Sequence, residues 1–408
     1  MLQEGMDTQE TPTNLHLWHR SFGLLVAANF FLTVSVYLLI PSLSEWLLQE
    51  FSPLQTGLIM GSYGLGLFVL GPFCSFLVQH YRRNQVCILA IFVIVLLTLF
   101  TYFCKNNYQD WQVGPWLFVA VRFLFGAAFG VAQMVLCSTL VIDSCESFQR
   151  NRANYIMSWF GRFGVGVGPL LFLLLGLWVD IDVFLLTAAV ACFSLLLIMM
   201  VRFPFRAPED TQLRASLDRF FLTEAWPLFL NMVMAMVVVG IVLAYIHSVM
   251  FYVMLLCGFV VAILIEQVLL KHIRISILLG LVLMFSSLLL IGTGIFMFAT
   301  YIAPLCLGFG LGLVGSGFLL SFIKLSDHCQ RGTSQSTFFL SWELGVSIGL
   351  FLGYAFLMPD SSSLSTEEVG QSHIFSQSGT TLGMVLLLVA LLFYVFFSYP
   401  WFLKHRNR

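Results

Sequence analysis

Three charged residues interrupt long apolar stretches of the sequence: Arg122, Arg162 and Glu343. At a helical rise of about 1.5 Å per residue, Arg162 and Glu343 would fall near the middle of an apolar layer about 30 Å thick. A charge at that depth costs about 2.5–3.5 kcal/mol on insertion scales, so such residues point to functional sites. A carboxyl there can take up and release a proton, and either arginine can bind an anionic group or tune the carboxyl. The alternative for each is a buried structural pair or a side chain that reaches an interface.

Polar residues also recur at helical spacing in two stretches. One stripe runs through Asn29, Thr33 and Tyr37 at intervals of four residues, and a second begins at Arg122. Residues at this spacing share one helix face, and a polar face must point away from lipid. The stripes predict either the lining of a polar cavity or hydrogen bonds between helices. Two tryptophans near the charged positions are predicted either to stack on a bound ring or to pack. The predicted cavity residues are Asn29, Thr33, Tyr37, Gln133, Trp159 and Trp342.

The elements that must position these residues are membrane-spanning helices. The chain has 408 residues, 59% hydrophobic and 10% charged, whereas soluble chains are about 25% charged. This composition excludes a soluble enzyme, a secreted disulfide scaffold and a disordered chain. Continuous apolar runs of about 20 residues predict an all-α membrane protein with twelve transmembrane helices. The predicted spans are 22–41, 55–79, 85–104, 116–141, 153–178, 183–202, 226–246, 250–270, 275–297, 301–324, 335–357 and 380–402.

Lysine and arginine predict the orientation of these spans. With twelve spans both termini lie on one side, and 16 of the 19 basic residues fall on that side, with Lys105 alone in a loop of the other. Because basic loops are cytoplasmic, both termini are predicted to be cytoplasmic. The polar stretch 203–225 would then be a central cytoplasmic loop between one six-helix bundle, 1–202, and a second, 226–408.

The two predicted bundles carry an internal repeat at an offset of 181 residues. Arg162 aligns with Glu343, and two glycines of the fifth span align with two of the eleventh. Transporters commonly contain such repeats. Small residues let helices approach closely, so the glycines and a neighbouring proline predict helix contacts, or the surface along which helices slide. The predicted packing residues are Gly126, Gly130, Gly164, Gly168, Pro169, Gly310, Gly345 and Gly349.

Together these features resemble the major facilitator superfamily of transporters over nearly the whole chain. Residues 75–84 keep the basic end of the family's loop pattern between spans 2 and 3, with Gln79 in place of its acidic residue. Arg122, followed by glycines four and eight residues later, is similar to the family's pattern in span 4. Residues 164–169, GVGVGP, are similar to the glycine-rich motif of proton-coupled antiporters, with Tyr155 where a longer version has glycine.

The resemblance implies two pseudo-symmetric bundles around a cavity that opens to either side in turn. It implies a monomeric secondary transporter of a bacterial inner membrane, and proton-coupled export of a small organic molecule is the leading interpretation. Uptake of a sugar, organic acid or peptide by a symporter or facilitator is the alternative. A non-transporting membrane sensor of the same fold is the alternative from another class. Glu343 is predicted to carry the proton, with Arg122 and Arg162 as its charged partners.

The resemblance also implies a latch at the cytoplasmic ends of the helices. In this fold Asp143 lies within reach of Arg82 or Arg83. Such a pair would hold one state of the transport cycle, or else be a solvated pair worth about 0–1 kcal/mol. Glu266 is predicted to play the matching part in the second bundle.

Motifs for other chemistry are absent from the sequence. It has no phosphate-binding glycine loop, no cysteine–histidine metal cluster and no nucleophile motif, which argues against ATP-driven transport and against an enzyme. No cofactor and no metal are expected. A net charge of −1 gives no electrostatic reason to expect a nucleic-acid partner. The expected partners are a small-molecule substrate, protons and the lipid bilayer.

Overall fold

A computed structural model gives the structure of the protein. It describes residues 16–111, 113–146, 148–178, 182–201, 214–217, 219–269, 272–293, 298–327, 330–357 and 377–406. These residues form helices joined by turns, with no strand among them. Residues 1–15 and much of the predicted loop 203–225 lie outside the described ranges.

Twelve long helices in the described ranges, α1 to α12, occupy the predicted spans. Their bounds are α1 Arg20–Glu50, α2 Pro53–Val69, α3 Arg83–Asn106, α4 Pro115–Val135, α5 Arg150–Trp178, α6 Val183–Met199, α7 Trp226–Tyr245, α8 Val249–Leu269, α9 Ile273–Thr293, α10 Ala299–Leu325, α11 Arg331–Leu352 and α12 Gln377–Phe393. In this part of the chain, eleven helical segments are long and apolar enough to cross a membrane, and α6 is shorter, with 17 residues. The first helix differs most from its predicted span, because it continues through Pro41.

Four of these helices pass into a local irregularity. A 3₁₀ turn, Gly71–Phe73, links α2 to a short helix, Cys74–His80. α4 passes into a π-helical turn, Leu136–Leu140, as do α11 at Gly353–Leu357 and α12 at Tyr394–Ser398. Such turns are frequent at functional sites. Those of α4 and α11 lie where helices from the two parts of the chain meet.

The outer surface of the structure is apolar, and many polar side chains are buried. Leu65, Leu264 and Phe396 are 64%, 71% and 75% exposed, whereas Asn29 and Arg162 are each 2% exposed. This distribution suits a protein surrounded by lipid, in which polar groups must find partners inside the helix bundle.

α1–α6 and α7–α12 pack with the same pattern of pairings. In the N-terminal set, α1 packs on α5 and α6, α2 packs on α4, and α3 packs on α4 and α6. In the C-terminal set, α7 packs on α11 and α12, α8 packs on α10, and α9 packs on α10 and α12. Each pairing of the first set therefore recurs six helices later, which is what an internal repeat produces.

The two sets meet mainly along α2 with α11 and along α5 with α8. At the first contact Ser347 Oγ donates a hydrogen bond of 2.6 Å to the Gly61 carbonyl, and a Cβ on Gly57 would overlap Ala355. At the second contact Gly166 faces Leu256. Because glycine has no side chain, the helix backbones of the two sets can approach closely at these positions.

The residues predicted to pack helices lie at contacts of this kind. Gly126 and Gly130 face α2, Gly164 and Gly168 face α1, Gly345 and Gly349 face α7, and Gly310 faces α9. Pro169 follows them inside α5 without ending the helix. The glycine pairs related by the sequence repeat therefore occupy equivalent contacts, α1 with α5 and α7 with α11.

Candidate functional site

The buried carboxyl of Glu343 joins the two helix sets. It projects from α11, is 3% exposed, and accepts hydrogen bonds from the hydroxyls of Tyr37 on α1 at 3.0 Å and Tyr63 on α2 at 3.3 Å. Trp342 Nε1 donates to the Tyr37 hydroxyl at 3.2 Å. Two oxygens of a C-terminal helix are thus held by two hydroxyls of the N-terminal set. Tyr63 was not among the predicted site residues, because it and the adjacent serine are the only polar side chains of an otherwise apolar run, residues 57–70.

Arg122 contacts the ring of Tyr63, one of the two tyrosines that bond Glu343. Its guanidinium carbon is 5.1 Å from the centre of the Tyr63 ring and 4.9 Å from that of Phe125. None of its guanidinium nitrogens has a hydrogen-bond partner among the described residues, and the side chain is buried. Arg122 therefore contacts aromatic rings and forms no salt bridge with Glu343 among these residues.

Arg162 belongs to a different arrangement, between α5 and α10. Its Nη1 donates to the Gly312 carbonyl at 2.9 Å and to Ser316 Oγ at 2.7 Å. Its guanidinium carbon lies 3.9 Å from the centre of the Trp159 ring. Its Nη2 has no hydrogen-bond partner within the described part of the chain. Arg162 and Glu343, which align in the repeat, form no salt bridge with each other among these residues.

A cavity of about 50 Å³ lies between the two helix sets, lined by side chains of α1, α4, α5 and α11. This space holds a few water molecules, since one water needs about 10–15 Å³. Arg162 and Glu343 both line it, together with Asn29, Thr33, Gln133 and Trp342. Gln133 Nε2 donates to Thr33 Oγ1 at 3.2 Å, and Asn29 Nδ2 donates to the Met157 carbonyl at 2.9 Å. Asn29, Thr33 and Gln133 therefore line the cavity and also bond neighbouring side chains and helices, whereas Arg122 of the second stripe does not line it.

Two residues predicted to line the cavity are placed elsewhere. Tyr37 lies against the Glu343 carboxyl, and Trp159 faces Glu266. The cavity is also lined by residues that were not predicted, including Ser158, Gln335, Phe338 and Phe339. The α11 residues among them precede Glu343 by one or two helical turns, so helical spacing from that residue was the available signal.

The family model of the Major Facilitator Superfamily matches residues 25–350. The chain belongs to the major facilitator superfamily. It is accordingly a multi-pass membrane protein with the fold of a family of transporters. No sequence among curated proteins matches it.

Solved structures of superfamily transporters share this fold at low sequence identity. A mutant of the nucleoside transporter NupG aligns with a TM-score of 0.64 at 12% identity, over 92% of this chain and all of that one (100%). The proton:xylose symporter XylE aligns with a TM-score of 0.63 at 15% identity, over 93% of this chain and 95% of that one. The human organic anion transporter MFSD10 aligns with a TM-score of 0.59 at 13% identity, over 92% of this chain and 98% of that one. These likenesses show the fold.

In this superfamily member, the ion pair that was predicted to act as a latch is formed by Arg83. Arg83 forms a salt bridge with Asp143, and the two side chains are 15% and 19% exposed. Arg82, the other predicted partner, is exposed at the start of α3. The ion pair ties the start of α3 to the helical turn that follows Leu136–Leu140, and this π-helical turn contacts α11 of the C-terminal set.

Replacing Asp143 with asparagine is expected to shift the balance between states open to either side. Loss of the carboxylate releases the end of α4 from α3, and that end of α4 contacts the C-terminal set. Spin-label distances between positions 152 and 324, which are exposed on the two sets, would report the shift. Arg82→Gln is the control, because it removes a neighbouring exposed charge without touching the pair. Unchanged distances in Asp143→Asn would leave the pair an ordinary structural one.

Glu266 does not form the counterpart of this ion pair among the described residues. Its side chain is fully buried and accepts hydrogen bonds from the Tyr155 hydroxyl and from Trp159 Nε1, the latter at 3.0 Å. Both donors belong to α5, so Glu266 links α8 of the C-terminal set to the N-terminal set. The predicted latch residue is instead a second buried carboxyl at the contact between the sets, because the end of α8 packs against α5.

Proposed function

We propose that the protein is a secondary active transporter that moves a small organic molecule across a membrane by alternating access. Two six-helix halves, residues 1–202 and 226–408 joined by the loop 203–225, rock about the central cavity, and the chain works as a monomer. Proton binding at Glu343 drives the cycle. The repeated packing pattern and the cavity between the two sets support the two-half arrangement.

The position of Glu343 is the observation that carries this proposal. An ionised carboxylate only accepts hydrogen bonds, and bonds to a charged acceptor are roughly twice as strong as neutral ones. The bonds from Tyr37 and Tyr63 therefore join the two sets most strongly when Glu343 is ionised. Protonation removes the charge and turns one oxygen into a donor, which loosens the link between α11 and the N-terminal helices. A proton thereby changes the contact that has to open and close during transport.

Two directions of coupling are supported by different observations. The glycine-rich segment 164–169 is similar to the motif of proton-coupled antiporters and favours export. The shared fold with a proton:xylose symporter favours uptake together with a proton. Export by antiport is the first candidate, and symport is the second.

A flux measurement tests the transport function and separates its two forms. Purified protein would be screened for compounds that raise its melting temperature, and the hits added outside proteoliposomes that contain a pH-sensitive dye. Inward movement of the compound should alkalinise the lumen in antiport and acidify it in symport. A compound that binds but causes neither its own flux nor proton movement would contradict the proposal and indicate a sensor.

We place the protein in a bacterial inner membrane, and the bias of basic residues supports cytoplasmic termini and a cytoplasmic loop 203–225. Single cysteines at positions 210 and 370 of a cysteine-free variant would test this. An impermeant maleimide added to intact cells is expected to label position 370 and spare position 210. The control is labelling of both positions after the membrane is opened. Labelling of position 210 from outside intact cells would contradict the orientation.

A further inference from the structure

Arg162 presents to the cavity a guanidinium group that forms no salt bridge among the described residues. Its Nη1 is satisfied by Gly312 and Ser316, but its Nη2 has no hydrogen-bond partner within the described ranges. The side chain is 2% exposed and lines the cavity. Burying a cation that no carboxylate bonds directly is costly, so this site favours an arriving negative group.

Neither buried carboxyl nearby neutralises this charge by a direct bond. Glu343 accepts its bonds from Tyr37 and Tyr63. Glu266 accepts from Trp159 Nε1, and the ring of the same tryptophan contacts the Arg162 guanidinium. Arg162 and this carboxyl thus share a partner without bonding each other, and the guanidinium still lines the cavity.

Two further buried polar atoms of the lining have no hydrogen-bond partner among the described residues. They are Ser158 Oγ, one helical turn before Arg162, and Gln335 Oε1 on α11. Both side chains are more than nine-tenths buried. The cavity thus offers a guanidinium donor, a hydroxyl donor and a carbonyl acceptor. The rings of Phe338, Phe339 and Trp342 border the same space.

We propose that this cavity binds an organic anion, which names the substrate class and rests on the proposed transport function. Arg162 and Ser158 donate to the oxygens of its acidic group. Gln335 accepts from a hydroxyl or amino group of the same molecule, and the α11 rings contact its apolar part. The space of about 50 Å³ admits the acidic group, and the apolar part enters when the two sets separate.

The site belongs to Arg162 and not to the other intramembrane arginine. Arg122 also lacks hydrogen-bond partners in the described part of the chain, but it is covered by the rings of Tyr63 and Phe125 and does not line the cavity. A ligand in the cavity therefore meets only one of the two guanidinium groups.

The site also links the anion to the proton. Glu343 lines the same small cavity, and the other charged or titratable groups around it are Tyr37 on α1, Tyr63 on α2, Arg122 on α4 and Arg162 on α5. α7 and α10 also pack on α11 and contribute no charged group to the described lining. An ionised Glu343 repels an anion, so the anion binds together with the proton, as in a symporter. An anionic substrate therefore favours symport, the second of the two candidate directions, over antiport. Anion binding therefore weakens as rising pH ionises Glu343.

Matched acids and amides test the site. The probes are 4-hydroxybenzoate, 4-hydroxyphenylacetate and 2-hydroxyisocaproate, each compared with its own amide by calorimetry on the purified protein. The expected result is that at least one acid binds about tenfold or more tightly than its amide. The affinities of 4-hydroxyphenyl phosphate and 4-hydroxybenzenesulfonate are measured in the same way. Compared with the affinities of the carboxylates, they show which acidic group the site prefers.

Variants assign the binding to named residues. Arg162→Gln and Gln335→Glu should each weaken binding of the acid by about tenfold or more, because one removes the cation and the other adds a repelling charge. The second variant keeps the side-chain size if the first fails to fold. Arg274→Gln is the control, since it removes an arginine that also contacts an aromatic ring, Tyr399, far from the cavity, and it should bind as the wild type does. Glu343→Gln should bind the acid equally well at low and high pH.

The outcomes separate this proposal from the transport function. Amides that bind as well as acids, acid binding that survives both cavity variants, or a panel in which no acid binds would overturn the anion site. If a neutral compound drives proton flux that Glu343→Gln abolishes, the transport proposal stands and the anion site fails. If acids bind through Arg162 but no proton moves with them, the anion site stands and the coupling fails.

Discussion

Glu343→Gln is expected to abolish proton-driven accumulation of substrate while leaving exchange of substrate across the membrane largely intact. Glutamine keeps the shape of the protonated side chain but cannot release a proton, so it removes the coupling and preserves the cavity. The accumulation ratio should fall to about one, because a carrier that cannot carry the proton has no coupling free energy between proton and substrate. Counterflow and gradient-driven uptake in the same proteoliposomes would measure the two properties separately.

Glu266→Gln is the matched control for this experiment. It changes the other buried carboxyl that bonds aromatic donors across the two sets, but Glu266 does not line the cavity. We expect this variant to keep an accumulation ratio above one. If Glu343→Gln still concentrates substrate at the wild-type rate, its role is wrong. Arg122 or Asp143 would then be the next candidates for coupling, or the protein would be an uncoupled facilitator.

Gly126→Ala is expected to destabilise the folded protein more than any other single methyl addition described here. A Cβ at this position would overlap the backbone carbonyl of Tyr63, where α4 crosses α2. A backbone oxygen cannot rotate away as a side chain can, so the helices must separate. Overpacking of this kind typically costs about 1–3 kcal/mol. The displaced Tyr63 would also lose its bond to Glu343, so transport should fall along with the melting temperature in detergent.

Gly176→Ala gives the control for that substitution. It lies in α5 with open space where its Cβ would be, so the added methyl meets no neighbouring atom. Alanine is favoured over glycine inside a helix by about 0.5–1 kcal/mol, so this variant should melt at the wild-type temperature or slightly above it. Equal melting temperatures for the two alanine variants would show that the contact between α4 and α2 adapts to a side chain.

Local physical chemistry explains why the helices and the burial of three charged residues were predictable from the sequence. Apolar runs of membrane length favour helices because every backbone group must be satisfied within its own segment. The positions of Arg122, Arg162 and Glu343 stood out because a charge in such a run is costly. All three are buried in the structure. The twelve-helix, two-half arrangement and the cytoplasmic termini stay predictions.

The hydrogen-bond partners that lie on different helices could not be predicted from the sequence. Glu343 is 306 residues from Tyr37 and 280 from Tyr63, and Trp159 is 107 from Glu266. Helical periodicity tells which residues share a face, but not which face of another helix will meet it. For the same reason the sequence left Arg82 and Arg83 as equal partners for Asp143, and only the packing of α3 against the end of α4 selected Arg83.

Sequence alone predicted the all-helical class, the apolar helices apart from the extension of α1 beyond Pro41, and the burial of Arg122, Arg162 and Glu343, but not that of Glu266. Each successful prediction depends on a few neighbouring residues and on the cost of leaving water. Only the tertiary structure decided that Arg162 faces the cavity while Arg122 is covered by rings, and that Glu343 and Glu266 each accept bonds from aromatic donors of the other helix set. These outcomes depend on how closely helix backbones approach. That distance is set by glycine contacts between segments far apart in the chain, such as Gly126 with Tyr63 and Gly349 with Gly240.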